Sequence, residues 1–332
     1  MRSTILILLL ALSCASIAET VNVYSYRQPF LIEPILESFT KDTGIKTKVI
    51  FAKKGLIQRI KREGKLSPAD VILTSNFSKL LQLKSDGVTQ TFTANGAISD
   101  NVPAKFRDSE AHWVALTKRV RNIYSSKERL GKLNISYEDL ASDKYKGKIC
   151  TRSGKHPYNL GLIASLIAHN GEAATKAWLT AVKGNLARKP QGNDRAQVKA
   201  IKEGLCDVSL GNSYYYGKML SDGNQMASAK AVELNFPNQN NRGAHINVSG
   251  AAIARYAPNK QAAQALLEYL TADKAQSLYA ELNMEYPVKK GVLPSVLVSS
   301  WGKFSEDDIS LEVLARNIKI ALKLTDQTKF DL

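Results

Sequence analysis

The chain has 332 residues, of which 44% are hydrophobic, and a formal net charge of +16 at pH 7. This length exceeds the size at which one hydrophobic core usually keeps growing, so two lobes are expected, and the composition excludes a largely disordered chain. The Lys and Arg residues are scattered and have no aromatic residues interleaved with them, which argues against nucleic-acid binding.

The N-terminus has the pattern of a secretory signal. Arg2 supplies a positive charge, residues 4–12 are apolar, and the small residues Ser16 and Ala18 suit a signal peptidase. The apolar stretch is too short to remain as a membrane-spanning helix. We predict cleavage after Ala18 and a periplasmic mature protein. A lipoprotein anchored through Cys14 is the alternative, although the residues before Cys14 match a lipobox poorly.

The first part of the mature chain alternates between strand and helix patterns. In chain order these are strand 21–26, helix 32–39, strand 47–51, a helix from 56 to 63, strand 69–73 and helix 77–83. This rhythm predicts a doubly wound, mainly parallel sheet with helices on its faces. A long strand pattern follows at 113–124, and we expect this strand to cross between the two lobes.

A second α/β unit follows the long strand. Its elements are strand 148–151, a helix opened by residues 156–159, a helix at 195–203 capped by Asn193 and Asp194, strand 206–210 and a return strand at 247–254. The remainder of the chain has helical apolar spacing.

Two cysteines remain after the predicted removal of residues 1–18. Cys150 ends one predicted strand and Cys206 begins another. An oxidising compartment favours a disulfide between them, which would join the two strands if these lie side by side. Two separate buried thiols are the alternative.

Residues 211–218, with the sequence GNSYYYGK, lie at a predicted strand-to-helix turn, where α/β proteins place their ligands. Asn212 or Ser213 suits the N-cap of the helix. Adjacent tyrosines in a first helical turn fan outward, so that two phenol oxygens can reach one ion. A hard trivalent cation displaces the phenol proton, and the positive end of the helix favours the phenolate. The alternative is an aromatic run that packs as core.

On these residues, the chain resembles the periplasmic iron(III)-binding proteins, the ferric substrate-binding components of ABC importers. The match extends over essentially the whole mature chain and is most specific at residues 212–217, with further matches at 23–27, 116–119 and 158–159. It implies the type II periplasmic binding protein fold, in which two α/β lobes are joined by a strand hinge and enclose a central ligand cleft. The predicted division is a signal peptide at 1–18, an N-lobe at 19–117, a C-lobe at 118–248, and a return segment with the C-terminal helices at 249–332.

The resemblance also implies a set of metal ligands. In the family, the first two tyrosines of the motif bind iron, which here are Tyr214 and Tyr215, and many members use a tyrosine matching Tyr158. Tyr216 points about 100° away around a helix, so we expect it to pack instead. Three phenolates neutralise Fe3+ but leave coordination positions open, which in this family a small exogenous anion such as carbonate commonly fills.

The chain departs from the family pattern just after the first strand. Many members carry a histidine there as a ligand, whereas this chain has Gln28 and Pro29. We therefore expect Arg27, through its planar fork, together with Gln28 and Arg119, to hold the anion instead. A surface ion pair is the alternative role of Arg27. Arg152, at a strand end before a helix, is a weaker anion-binding candidate.

The predicted function is high-affinity iron(III) binding and delivery to an inner-membrane ABC permease by a monomeric protein. No enzyme is predicted, because no Ser-His-Asp set, nucleotide loop or carboxylate pair stands out, and the four histidines lack zinc-like spacing. One alternative is a receptor of the same fold for an organic or inorganic anion without metal, which leaves the tyrosines without a role. Another is an extracellular basic adhesion or nucleic-acid-binding protein, which needs a clustered basic face.

Overall fold

Two long strands set the layout of the molecule. In the computed structural model, which describes residues 19–94 and 96–332, β5 (Val114–Ser126) pairs antiparallel with β9 (Ile246–Ala254). Strand β5 is buried along its whole length except at Lys118, as expected for a strand covered on both faces. The predicted crossover strand and return strand are therefore confirmed.

The shorter strands flank this central pair. Within the described residues they are β1 Thr20–Ser25, β2 Lys46–Phe51, β3 Val71–Thr74, β4 Thr89–Gln90, β6 Ile149–Cys150, β7 Val208–Asn212, β8 Val232–Asn235 and β10 Tyr286–Pro287. The strand order is β2-β1-β3-β9-β5-β7-β6, with β4 on β9 and with β8 and β10 on β5. Strand β1 is parallel to β2 and β3, and β6 is parallel to β7, whereas β5 and β9 run antiparallel to all their neighbours. The sheet is thus more mixed than predicted, because both crossing strands run against the rest.

The helices cover the sheet faces. Within the described residues they are α1 Pro29–Thr43, α2 Leu56–Glu63, α3 Phe77–Ser85, α4 Ala97–Asn101, α5 Pro157–Gly184, α6 Asp194–Lys202, α7 Ser213–Leu220, α8 Gly223–Lys230, α9 Lys260–Thr271, α10 Asp273–Asn283, α11 Val296–Ser299 and α12 Leu311–Gln327. Short 3-10 turns occur at Gly64–Leu66, Ala104–Phe106, Glu138–Ala141 and Asp143–Tyr145. The side chain of Asn193 caps α6 as predicted, and Gly171, with a φ of 80°, breaks α5 into two helical segments.

The buried apolar residues form one large cluster and two smaller ones. The large cluster gathers β1, β2 and β3 with β9 and the first half of β5, and it includes Val120 and Ile246. The others gather around β6, β7 and α5. Helix α12 joins the two regions, since Leu314 lies in the large cluster and Leu324 in a smaller one. The lobe boundaries at 117 and 248 stay a prediction.

The structure joins Cys150 to Cys206 in a disulfide, with a Cα–Cα distance of 5.8 Å. The predicted pairing is confirmed because β6 and β7 lie side by side in parallel, as the pairing of Cys150 with Ser209 shows. The bridge ties the strand that precedes α5 to the segment that leads into α7.

The predicted signal peptide and its cleavage after Ala18 lie outside the described residues, as does the alternative role of Cys14. Among the helices of residues 19–94 and 96–332, none has the length and apolar character needed to cross a membrane.

Candidate metal centre

The turn between β7 and α7 is fixed to the crossover strand. The hydroxyl of Tyr124 donates to the carbonyl of Asn212 at 2.9 Å, and the backbone N–H of Val120 donates to Oγ of Ser213 at 3.2 Å. Gly211 lets the chain pass close to β5, because a Cβ there would lie 2.2 Å from the ring of Tyr124. The start of α7 is therefore positioned from β5.

Asn212 occupies the N-cap position of α7, but its side chain makes no capping hydrogen bond. Its Oδ1 instead accepts from a terminal nitrogen of Arg121 at 3.2 Å, and its backbone N–H donates to Oδ2 of Asp194 at 2.9 Å. The predicted choice of Asn212 or Ser213 as a capping side chain is thus wrong for Asn212. A buried arginine takes the amide oxygen that a cap would use.

Tyr214 and Tyr215 lie at the start of α7 with ring centroids 4.1 Å apart. Tyr158 lies in the first turn of α5, where its backbone N–H donates to Nδ1 of His156 at 3.2 Å. Burial is the main cause, and repulsion from the phenolate form of Tyr158 the second, that raises the pKa of Tyr214 well above its ordinary value and the pKa of Tyr215 to about 12. Without a metal, Tyr214 and Tyr215 are therefore protonated at neutral pH.

Each of these rings has a guanidinium group against it. The distances from guanidinium carbon to ring centroid are 5.8 Å for Arg119 and Tyr214, 5.5 Å for Arg195 and Tyr215, and 5.3 Å for Arg152 and Tyr158. Two of these positive charges oppose the effect of burial: Arg119 lowers the pKa of Tyr214, and Arg152 lowers the pKa of Tyr215, which the nearby charge of Asp194 raises. The guanidinium groups therefore favour the phenolates once a metal displaces the protons.

A buried carboxylate holds two arginines beside the tyrosines. Asp194, at the first position of α6, accepts from Arg121 at 2.7 Å and from Arg152 at 3.0 Å. Its side chain is 0% exposed. Burial raises its pKa, but the two guanidinium charges and the backbone N–H of Asn212 outweigh that effect, so the pKa lies below its usual value. We call Arg121, Asp194 and Arg152 the Asp194 triad.

A second set of the same composition lies at the end of β1. The terminal nitrogens of Arg27 donate to Glu285 at 2.9 and 3.4 Å, and Arg119 donates to the same carboxylate at 3.1 Å. These side chains are 2 to 3% exposed. Burial raises the pKa of Glu285, but the charges of Arg27 and Arg119 together outweigh burial, so the pKa lies below its usual value. We call Arg27, Glu285 and Arg119 the Glu285 triad.

Arg152 links the two helix starts, because it lies against the ring of Tyr158 and donates to Asp194, which accepts from the backbone of Asn212 just before the tyrosines. The structure thus places Tyr158, Tyr214, Tyr215 and Arg119 in one connected cluster. Arg27 makes an ion pair as in the predicted alternative, although the pair is buried rather than at the surface. The remaining predicted residue, Gln28, precedes α1, is half-buried, and makes no side-chain hydrogen bond within the described part of the chain.

Tyr216 packs as predicted, with ring centroids 5.6 Å from Trp301 and 6.0 Å from Tyr124. No group of three or more His, Cys, Asp or Glu side chains suited to a metal ion occurs within residues 19–94 and 96–332.

Sequence reasoning missed four residues of this site: Glu285, Asp194 as an ion-pair partner, Arg121 and Arg195. One signal was available, because Arg119 and Arg121 are two residues apart on a strand and so lie on the same face. No local pattern marked Glu285, which is 258 residues from Arg27.

Residues 66–303 match a family model described as bacterial extracellular solute-binding protein. The chain belongs to this family. Among curated proteins, this solute-binding protein is 39% identical to iron uptake protein A1 of Synechocystis over 313 residues, which cover 93% of this chain and 87% of the relative.

Solved structures agree with this assignment. The apo ferric ion-binding protein A of Pasteurella haemolytica is 55% identical, with a TM-score of 0.91, over 95% of this chain and 99% of that one. A Trichodesmium protein in complex with iron and citrate ligands is 38% identical, with a TM-score of 0.88, over 94% and 99% of the two chains. The resemblance to iron(III)-binding proteins and the predicted two-lobed type II fold are confirmed.

Proposed function

We propose that this solute-binding protein binds iron(III) in the periplasm, as a monomer without catalytic activity, and delivers the ion to an inner-membrane ABC importer. The phenolate oxygens of Tyr158, Tyr214 and Tyr215 hold the ion, which is the transported substrate. The observation that carries the proposal is the presence of three phenols at two helix starts that Arg152 and Asp194 connect, each phenol with a guanidinium group against its ring. Relatives named as ferric iron-binding proteins support it.

The chemistry of the site suits a trivalent cation that competes with protons. Burial keeps the phenols of Tyr214 and Tyr215 protonated in the empty protein. A hard cation displaces those protons, and three phenolates then balance its charge inside a site where an unpaired charge is costly. Because metal and protons compete for the same oxygens, a fall in pH weakens binding.

A small anion such as carbonate completes the coordination. The Nε groups of Arg27 and Arg119 have no hydrogen-bond partner within the described residues, so each retains one N–H for such an anion. The Gln28 side chain is the further donor that we propose on this side. Closure of the cleft then depends on both metal and anion, since each supplies contacts that an open form lacks.

The metal-free anion receptor remains the alternative hypothesis. It would use the guanidinium forks of Arg27 and Arg119, but Glu285 already accepts from both. It also gives the three phenols no role.

An iron(III) titration of Tyr215→Phe tests the proposal, because this substitution removes the phenol oxygen and keeps the ring. We expect the visible tyrosinate-to-iron band to shift or vanish. The affinity should fall by at least about 100-fold, since losing even an outer-shell partner of a metal site commonly costs about 10- to 100-fold.

Tyr216→Phe is the matched control. Its ring lies on the same helix but packs against Trp301, so both band and affinity should stay as in the wild type. An unchanged spectrum and affinity in Tyr215→Phe would rule out this ligand set.

A further inference from the structure

The Glu285 triad occupies part of the hydrogen-bond donors that Arg27 and Arg119 could offer to an incoming ligand. Both terminal nitrogens of Arg27 donate to Glu285. One terminal nitrogen of Arg119 also donates to Glu285, and the other donates to the carbonyl of Ser75. A guanidinium group has five N–H donors, so each arginine keeps its Nε–H, which has no partner within the described residues, and one further hydrogen on each terminal nitrogen. Arg27 therefore cannot present the fork formed by its two terminal nitrogens to a carboxylate ligand while Glu285 is in place, and each terminal nitrogen of Arg119 has already donated one hydrogen.

The backbone on both sides of Glu285 is anchored, so the carboxylate is held in position. The Asn283 amide donates to the carbonyl of Leu31 on α1 at 2.9 Å. Met284 adopts a left-handed conformation with a φ of 56° and packs against α7, since a Cβ on Gly217 would lie 2.8 Å from it. On the other side, Tyr286 pairs with Lys118 of β5.

The same triad lies against the tyrosine cluster. Arg119 is 5.8 Å from the ring centroid of Tyr214, three residues before the contact of Gly217 with Met284. Two guanidinium groups and one carboxylate leave this side with a single positive charge. An anion that fills open positions on iron therefore meets one net charge rather than two, and the terminal fork of Arg27 is not free to bind it.

We propose that Glu285 is a specificity-determining residue: by occupying the terminal fork of Arg27 and cancelling one of the two guanidinium charges, it favours a small completing anion such as carbonate over a tricarboxylate such as citrate. This inference rests on the proposed iron(III) function. Citrate is the informative competitor, because a 38% identical Trichodesmium relative was solved with iron and citrate ligands.

Glu285→Gln on the full mature chain tests the inference, because glutamine keeps the shape and removes the charge. The first measurement needs no iron: calorimetric titration of the metal-free protein with citrate. Adding one net positive charge and freeing donors should make citrate bind at least about tenfold more tightly to the variant than to the wild type.

The second measurement loads each protein with iron(III) and citrate in bicarbonate buffer, removes the excess, and determines citrate and iron in the protein. We expect little citrate per iron in the wild type and close to one citrate per iron in the variant. Equal citrate affinity and equal citrate content in the two proteins would overturn the inference. A wild type that already retains one citrate per iron would also overturn the inference. That measurement does not depend on whether the variant folds.

Glu306→Gln is the matched control for overall charge. Glu306 pairs with Lys105 and Lys118, and Lys118 extends from the opposite face of β5 to Arg119, so this substitution should leave citrate binding unchanged. An equal gain in this control would attribute the effect to net charge and contradict a role for Glu285. A wild type that shows no visible band with iron would refute the proposed function, whereas the iron-free titration would still test Glu285.

Discussion

The two buried triads have the same composition but are built differently. Asp194 accepts from two arginines and from the backbone N–H of Asn212, directly before the tyrosines. Glu285 accepts from Arg27, which follows β1, and from Arg119 on β5, and it is anchored by neighbouring residues of its own turn. The Asp194 triad is therefore part of the framework that positions Tyr214 and Tyr215, whereas the Glu285 triad controls which donors remain free.

One strand supplies an arginine to each triad. Arg119 and Arg121 lie two positions apart on β5, so they extend from the same face of the strand that crosses the molecule. The two triads therefore have different roles although their composition is the same. The carboxylate of Asp194 accepts from a backbone N–H as well as from arginines, whereas the carboxylate of Glu285 accepts from side chains. The following substitutions separate the two roles.

The largest expected effect comes from Asp194→Ala. It leaves two buried arginines without their carboxylate and one backbone N–H without its acceptor, which should cost about 3–5 kcal/mol of unfolding free energy. Urea unfolding of the iron-free protein measures this loss. Asp308→Ala, whose side chain is 85% exposed in a surface pair with Lys105, is the control and should stay within about 0.5 kcal/mol of the wild type. Comparable losses in the two variants would contradict the framework role of Asp194.

A second effect concerns acid pH at the segment where Arg121 meets β9. The backbone N–H of Arg121 donates to the carbonyl of His245, whose buried Nε2 has no partner within the described residues. Burial first, and then the charge of Arg121, lower the pKa of His245 to about 4 despite the opposing charge of Asp307.

The sign follows from proton linkage. The unfolded chain binds a proton at His245 near pH 6.5 and the folded protein only near pH 4, so stability is lost as pH falls through this window, by about 3 kcal/mol for the full shift. Unfolding free energies of wild type and His245→Gln, measured from pH 7 to pH 4, check this. The variant should lose less stability on acidification, and parallel curves would show that His245 is not responsible.

The smallest expected effect is at the contact between the Glu285 turn and the tyrosine helix. A Cβ on Gly217 would lie 2.8 Å from Met284 and 3.2 Å from Trp301, so Gly217→Ala forces these side chains to shift. Overpacking of this size costs about 1–3 kcal/mol. Gly184→Ala, where a Cβ would have no neighbour within 4 Å, is the matched control in a helix. Thermal unfolding midpoints of the two variants are compared with that of the wild type. Equal midpoints for the two variants would mean that Met284 and Trp301 move aside without loss of stability.

Much of the local structure was determined by the sequence. The alternation of apolar runs and helical spacing predicted the α/β elements, and the strand-to-helix turn before Tyr214 lies where it was expected. The cysteine count and the predicted compartment gave the Cys150–Cys206 pair. These features depend on neighbouring residues or on one simple pairing, so periodicity and composition are sufficient to predict them.

Only the tertiary structure decided how the charges of the site are arranged. Nothing near Arg27 in the chain indicates that Glu285, 258 residues away, occupies its fork, and nothing near Arg121 indicates that Asp194, 73 residues away, pairs with it. The side-chain oxygen of Asn212, which the local sequence predicted to cap α7, likewise accepts from a buried arginine instead. A buried charge must find an opposite charge wherever the fold brings one, because leaving it unpaired costs more than any local preference provides.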